Sequence, residues 1–110
     1  MAFREAEISA TVDEKFRLII PSEIVKTRKI RNFVELVNSD EDGGYLITRI
    51  YYHKSGIKEA LKVRLDKDRK SSRVTIIKAI REKSFSFFYK RNVMLVDKGS
   101  YLEILPWPAM

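Results

Sequence analysis

Two arginines occupy matching settings in the chain. In VDEKFRLIIPSEI, residues 12–24, Arg17 follows an acidic turn and opens an apolar strand that stops at Pro21. In SSRVTIIKAI, residues 71–80, Arg73 opens a second apolar strand in the same way. A guanidinium placed just after a β-turn, on an edge beside a short helix, projects sideways and offers a planar fork of donors to a phosphate or a base edge. Two such groups related by a pseudo-twofold axis would meet a duplex at two points. The alternative is that Arg17 pairs with Asp13, Glu14 or Glu23 and only holds the turn. Lys67, Arg69, Lys70, Lys78 and Arg81 surround Arg73 in sequence, and Lys26 follows Arg17. These are candidate phosphate contacts, of which only a few would read base edges.

Other chemistries find little support in the residues. His53 is the one histidine, it falls in a segment that reads as a linker, and cysteine is absent, so neither a thiolate metal site nor a disulfide framework is expected. Asp40, Glu41 and Asp42 precede Gly43 and Gly44, which reads as a solvated turn in preference to a calcium loop. No G-x-S-x-G element and no glycine-rich phosphate loop occurs among the four glycines. The expectation is a protein that is not an enzyme and uses no cofactor or metal.

The charge points the same way as the arginines. The net charge of +7 is unevenly spread: residues 1–55 carry nine Lys/Arg against nine Asp/Glu, while residues 56–110 carry thirteen against six. All of the excess lies in the second half, a sign of a polyanionic partner. Glutamine and cysteine are both missing while Lys, Arg and Ile are plentiful, a bias that suits a thermophile. The charged N-terminus MAFREAE and the lack of any apolar run near ~18 residues argue against a signal peptide and a membrane span, so a cytoplasmic location is expected.

The elements that position these groups follow from periodicity. A length of 110 residues fits a single domain, 1–110. Alternation with a period of two predicts strands over 7–13 and 16–20, joined as a hairpin, and Pro21 ends the second. Ser22 reads as the N-cap of a short helix, SEIVKTRK. Strands follow at 34–37 and 45–50, then at 61–65, 73–77, 93–96 and 100–105, with DKDRKSS as a polar loop and a helix within KAIREKSFSFFY. Laid side by side, Arg17 falls on Arg73, Ile20 on Ile76, Ile24 on Ile80, VELV on VMLV, and Tyr45 on Tyr101. The chain reads as two degenerate ββαββ copies, about 7–50 and 61–105, with a connection at 51–60 and a short tail at 106–110. In FSFFY, Phe85, Phe88 and Tyr89 share one helical face. That face suits core packing, with a stacking platform for single-stranded nucleic acid as the sharper alternative. Trp107, between two prolines, reads as a residue that leaves the sheet, either folding back over the end of the molecule or anchoring a partner.

Val12, Asp13, Arg17, Ile20, Pro21, Glu23, Ile24, Lys26 and Ile30 together resemble the N-terminal domain of the AbrB, MazE and SpoVT group of bacterial and archaeal regulators. That resemblance covers residues 7–50. It implies a mainly β, swapped-hairpin barrel with short helices, and the tandem copy is similar to the arrangement of MraZ proteins. Three positions depart from the pattern. Phe16 replaces a glycine that allows positive φ, so the turn is expected to differ. Ala10 and Val25 stand where family members often carry arginine, whereas Arg81 stands at the position matching Val25 in the second copy. The resemblance implies double-stranded DNA binding by a transcriptional regulator or an antitoxin-like repressor. It would act as a monomeric pseudo-dimer or a homodimer, without a membrane. The alternative is a non-enzymatic accessory subunit that uses the same fold to dock on a larger protein partner, a toxin or a nucleic-acid enzyme, with Trp107 as an anchor.

Overall fold

The computed structural model describes residues 7–40, 43–68 and 70–107. Its elements in chain order are β1 (Glu7–Thr11), β2 (Arg17–Ile20), α1 (Ser22–Thr27), β3 (Phe33–Asp40), β4 (Leu46–Tyr51), β5 (Leu61–Arg64), β6 (Asp66–Asp68), β7 (Ser71–Thr75), α2 (Lys78–Arg81), a 3-10 turn (Phe85–Phe87), β8 (Asn92–Asp97) and β9 (Tyr101–Pro106). The protein is mainly β, with two short helices and antiparallel sheets. No helix among the described residues is long and apolar enough to cross a membrane.

The strands form two sheets, one of six in the order β1-β8-β9-β4-β3-β5 and one of three in the order β2-β7-β6. The expected closed barrel is not found: β1 and β5 are the two edges of the larger sheet and do not pair with each other. The expected hairpin of β1 with β2 is also replaced. Only Val12 and Leu18 bridge there, after which β1 leaves to pair with β8 and β2 pairs with β7. The cause is local. At Val12 the chain turns its N–H away to the Arg91 carbonyl of the larger sheet (2.8 Å), and at Leu65 the N–H goes to the Asn32 carbonyl in the same way (2.7 Å). The strand order of the larger sheet is unchanged if β1 is exchanged with β5, β3 with β8, and β4 with β9. In the smaller sheet Arg17 faces Thr75 while Ile19 faces Arg73, so the same exchange passes through the Leu18–Val74 pair.

The core lies between the two sheets and is built largely from matched residues: Val12 and Leu65, Leu18 and Val74, Ile20 and Ile76, Ile24 and Ile80, Leu36 and Leu95 are all buried. Val12, Leu18, Ile20, Val74 and Ile76 alternate along the chain with less buried neighbours, which fixes the register there, because a one-residue slip would turn these side chains outward.

Four local expectations need correction. Ser22 is the first helical residue of α1, and the N-cap is Pro21, whose φ of −52° is already set for a helix entry. Lys29 ends the helix in the left-handed region (φ 55°), and the Ile30 N–H bonds back to the Val25 carbonyl at 3.0 Å. Residues 66–68 of the supposed polar loop form β6, because Asp66 and Asp68 pair with Arg73 and Ser71. Pro106 remains in β9 opposite Val93, so the sheet continues to the residue before Trp107. Phe16 keeps the positive φ (57°) that its bulk disfavours. A left-handed non-glycine residue costs about 1–2 kcal/mol. Its surroundings offset that cost: the ring packs against the core and edge-on to Phe87 at 6.4 Å, and the Ile76 N–H donates to its carbonyl at 2.7 Å.

The segment after α2 contains the largest difference between the halves. Ser86 is fully buried, and its hydroxyl accepts from the Thr48 N–H of β4 (2.9 Å) and donates to the Ile104 carbonyl of β9. The Thr48 hydroxyl donates to Asn38 Oδ1 (2.8 Å) and accepts from Ser84 (2.6 Å), because the amide oxygen can only accept. The 3-10 turn is thus bolted across the central strands. Ser86→Ala strands a buried N–H and carbonyl at once. We expect a loss of about 1–3 kcal/mol, read as a lower urea midpoint with an unchanged slope.

Candidate nucleic-acid interface

The outward face of the β2–β7 ribbon carries Arg17, Ile19, Arg73 and Thr75, with Ile19 54% exposed between the two arginines. Both arginines are held by carboxylates. Arg17 Nε lies 2.6 Å from Asp13 Oδ2, and Arg73 Nη2 lies 3.0 Å from Asp66 Oδ2. Arg17 also approaches Asp66 at 3.8 Å. Asp13 accepts the backbone N–H of Arg17 and Lys15 as well, so one aspartate organises both the turn and the guanidinium. The Arg17 amide, above all, holds the Asp13 carboxyl below the usual range. The pairing expected as the alternative role of Arg17 is therefore present, and this face sets two cations against two acids. The buried Nε of Arg73 has no hydrogen-bond partner.

Lys26, Lys67, Lys70 and Arg81 fall in two grooves, each formed by one short helix and the β-turn of the other half, and Lys78 lines neither. The first, about 350 Å³, is lined by Ser22, Val25 and Lys26 of α1 and by Lys67, Asp68, Lys70, Ser71 and Ser72 of the β6–β7 hairpin. All three lysines are exposed, and Lys67 Nζ lies 3.2 Å from Asn32 Oδ1, which fixes its stem beside the groove. Arg69 is outside the described residues. Three ammonium groups, one carboxylate and three hydroxyls converge here, the donor set that suits a phosphate oxygen.

The second groove, about 430 Å³, is lined by Glu14, Phe16, Arg81, Glu82, Phe87, Lys90 and Arg91. Ser72 of the first groove corresponds to Phe16 here, and Val25 to Arg81. Arg81 is committed to the fold: its guanidinium lies 4.5 Å over the Phe16 ring, and Nη1 donates to the Ile76 carbonyl at 3.1 Å. Lys78 sits exposed on α2 and pairs loosely with Glu82 at 3.6 Å, a contact worth little at such exposure. The lysine groove and the aromatic groove thus share a position in the fold but differ in chemistry.

The structure brings Lys26, Lys67 and Lys70 together and keeps Lys78 and Arg81 apart from them. Sequence reasoning missed Ser22, Ser71 and Ser72, whose hydroxyls complete the first groove. Their signal was available, since a serine beside lysines at a turn is a ready phosphate donor, but nothing in the sequence shows α1 meeting the distant hairpin. Trp107 ends the described chain 37% exposed. Among the described residues no group of three His, Cys, Asp or Glu side chains could hold a metal ion. Compared with known proteins, the chain matches no family model, and no curated protein matches it.

Proposed function

We propose that the protein binds double-stranded DNA through the lysine groove, as a transcriptional regulator or antitoxin-like repressor built on an AbrB-like swapped-hairpin arrangement of two degenerate copies. The observation that carries this reading is the convergence of Lys26, from the first half, with Lys67 and Lys70, from the second, on one groove with three hydroxyls. The crossed pairings of β1 with β8 and of β5 with β3 support the arrangement, since each copy then lends its first strand to the hairpin of the other. The Asp13–Arg17 and Asp66–Arg73 pairs assign the arginines to positioning, with the lysines supplying most of the phosphate attraction.

The test is a salt titration of duplex binding. Each phosphate contact that releases counterions adds about −0.9 to the log–log slope. Lys26→Ala and Lys67→Ala should each make the slope shallower by about one and weaken binding by on the order of 1 kcal/mol, uniformly across sequences. An affinity no better than ~100 μM near 50 mM salt, below ordinary non-specific binding, rejects the reading. The accessory-subunit reading would then gain. It is favoured by the neutralised Arg17 and Arg73 and by the exposed Ile19 and Trp107.

A further inference from the structure

The segment between α2 and β8 is longer than its counterpart. From Ile24 to Val34 the chain needs residues 25–33, nine in all, whereas from Ile80 to Val93 it uses residues 81–92, twelve in all. The first carries one aromatic residue, Phe33; the second carries Phe85, Phe87, Phe88 and Tyr89. Of these, Phe87 packs against the core. The other three turn away from it, contrary to the expected core packing, and form a continuous ladder with Tyr45, the residue before β4. Tyr45 and Phe85 lie 4.5 Å apart by ring centroid, Phe85 and Phe88 are stacked at 5.0 Å, and Phe88 and Tyr89 meet edge-on at 4.9 Å. Tyr45 is 52% exposed, Phe88 62% and Tyr89 38%.

We propose that this ladder binds single-stranded nucleic acid by stacking unpaired bases, at a site apart from the lysine groove and independent of the duplex reading. Three observations converge on it. Large aromatic faces left in water are costly unless they meet a partner, and bases stack on them with little regard to sequence. The neighbouring sequence is cationic: Lys83, Lys90 and Arg91 bracket the rings along the chain and no acid occurs from Lys83 to Val96, while Glu14 and Glu82 line the groove that Lys90 and Arg91 share with Arg81, leaving three cations there against two acids. Asp40, opposite Leu46 in the β3–β4 hairpin, lies toward the Tyr45 end, so the phosphates are expected toward Lys90 and Arg91. Finally, the platform is rigid before any ligand arrives. Ser86, between the rings in sequence, is fixed to β4 and β9, and Phe87 pins the same turn from beneath. A fixed platform loses little entropy on binding.

The test uses the full chain and three fluorescein-labelled probes: oligo-dT of ~12 nucleotides, an abasic strand with the same number of phosphates, and a duplex of the same length, the size being within the usual range for such sites. Oligo-dT should bind about tenfold or more tighter than the abasic strand, and Phe88→Ala or Tyr89→Ala should remove about tenfold of that affinity while leaving the abasic strand and the duplex unchanged. Equal binding of oligo-dT and the abasic strand overturns the proposal, as does a Phe88→Ala protein that binds oligo-dT like the wild type. Phe88 is largely exposed, so its truncation should leave the thermal midpoint unchanged, which serves as the folding control. Sedimentation of the wild type alone supplies a further arm: a dimer that Phe88→Ala abolishes would assign the ladder to a second copy and reject nucleic acid as its occupant. Duplex binding lost with oligo-dT binding retained would reject the lysine groove and leave the ladder standing.

Discussion

Residues 1–52 produced alone are expected to be unfolded as a monomer. Of the four strands in that stretch, β1 pairs with β8, β2 with β7, and β4 with both β3 and β9. Cutting the chain after Tyr52 therefore leaves, among the described residues, only the β3–β4 hairpin and the single Val12–Leu18 bridge. An isolated hairpin is marginal in water. The loss extends to the core: Val12, Leu18, Ile20, Val34 and Leu36 pack in one cluster with Val74, Ile76, Val93, Leu95, Leu102 and Ile104, all supplied by the missing half. The net stability of a domain this size is only about 5–15 kcal/mol, and each buried aliphatic side chain contributes about 1.5–3 kcal/mol, so losing six partners, about 9–18 kcal/mol, is comparable to the whole margin. The fragment should give a random-coil circular dichroism spectrum at low concentration. Any folding should appear only with concentration, as a dimer in which a second copy fills the vacant positions and covers the open edges. A fragment that sediments as a folded monomer would show that the crossed pairing is not what holds the first half.

The parts of this fold that could be read in the sequence are those fixed by nearest neighbours. The alternation of Phe16, Leu18 and Ile20 around Arg17 placed β2, and Pro21 marked its end, because a period of two and a missing N–H act within a few residues. The pairing partners were not legible. Nothing in residues 7–13 distinguishes a hairpin with 17–20 from a pairing with residues 92–97, since both satisfy the same alternation. The choice is made by the Val12 N–H, which turns to the Arg91 carbonyl. The ladder was misjudged for a related reason. Phe85, Phe88 and Tyr89 fall on one face of an α-helix, but the segment is a 3-10 turn with a tighter pitch, so it is Phe87 that points inward. The candidate site was half visible. Lysines and arginines announce themselves by composition, and Asp13 is close enough in sequence to be named as a partner of Arg17, whereas the neutralisation of Arg73 by Asp66 depends on cross-strand register. Phe16 shows the limit of conformational rules: its bulk argued for an altered turn, yet core packing and the Phe87 contact hold the turn in the conformation that glycine would favour.

Asp97 should be the most sensitive polar position in the molecule. Its Oδ1 accepts from the Tyr52 hydroxyl at 2.8 Å and from the Gly99 N–H at 3.0 Å, while its Oδ2 accepts from Arg28 Nε and Nη2 at 3.0 and 2.9 Å. One carboxylate thus ties the start of the connecting segment, the end of α1 and the β8–β9 turn together. Tyr52 is 1% exposed, so its hydroxyl has no water to fall back on if the partner is removed. Burial, reinforced by the bond to Asp97, raises the Tyr52 phenol far above its ordinary value, and it remains a donor throughout the accessible pH range. An unsatisfied buried hydroxyl and a lost bidentate arginine contact together predict that Asp97→Ala costs about 3 kcal/mol, the exposed share of the ion pair contributing little. Tyr52→Phe, which removes the hydroxyl but leaves the carboxylate paired with Arg28, should cost about 1 kcal/mol. The pH dependence separates this contribution from simple loss of packing. Burial pushes the Asp97 carboxyl up, but the Arg28, Gly99 and Tyr52 hydrogen bonds outweigh it and hold the group below the usual carboxylate range. A group whose folded pKa is depressed contributes stability that is complete above its unfolded pKa and fades as pH falls through the folded one. The gap between wild type and Asp97→Asn, measured by urea unfolding, should therefore be constant near neutrality and narrow as pH falls from about 4, the range of an unfolded carboxyl, through the depressed range of the folded Asp97. Asp13 and Glu35, also held low, protonate in both proteins and cancel in the difference. A gap that stays constant down to pH 2 would show that Asp97 acts there by shape and not by charge.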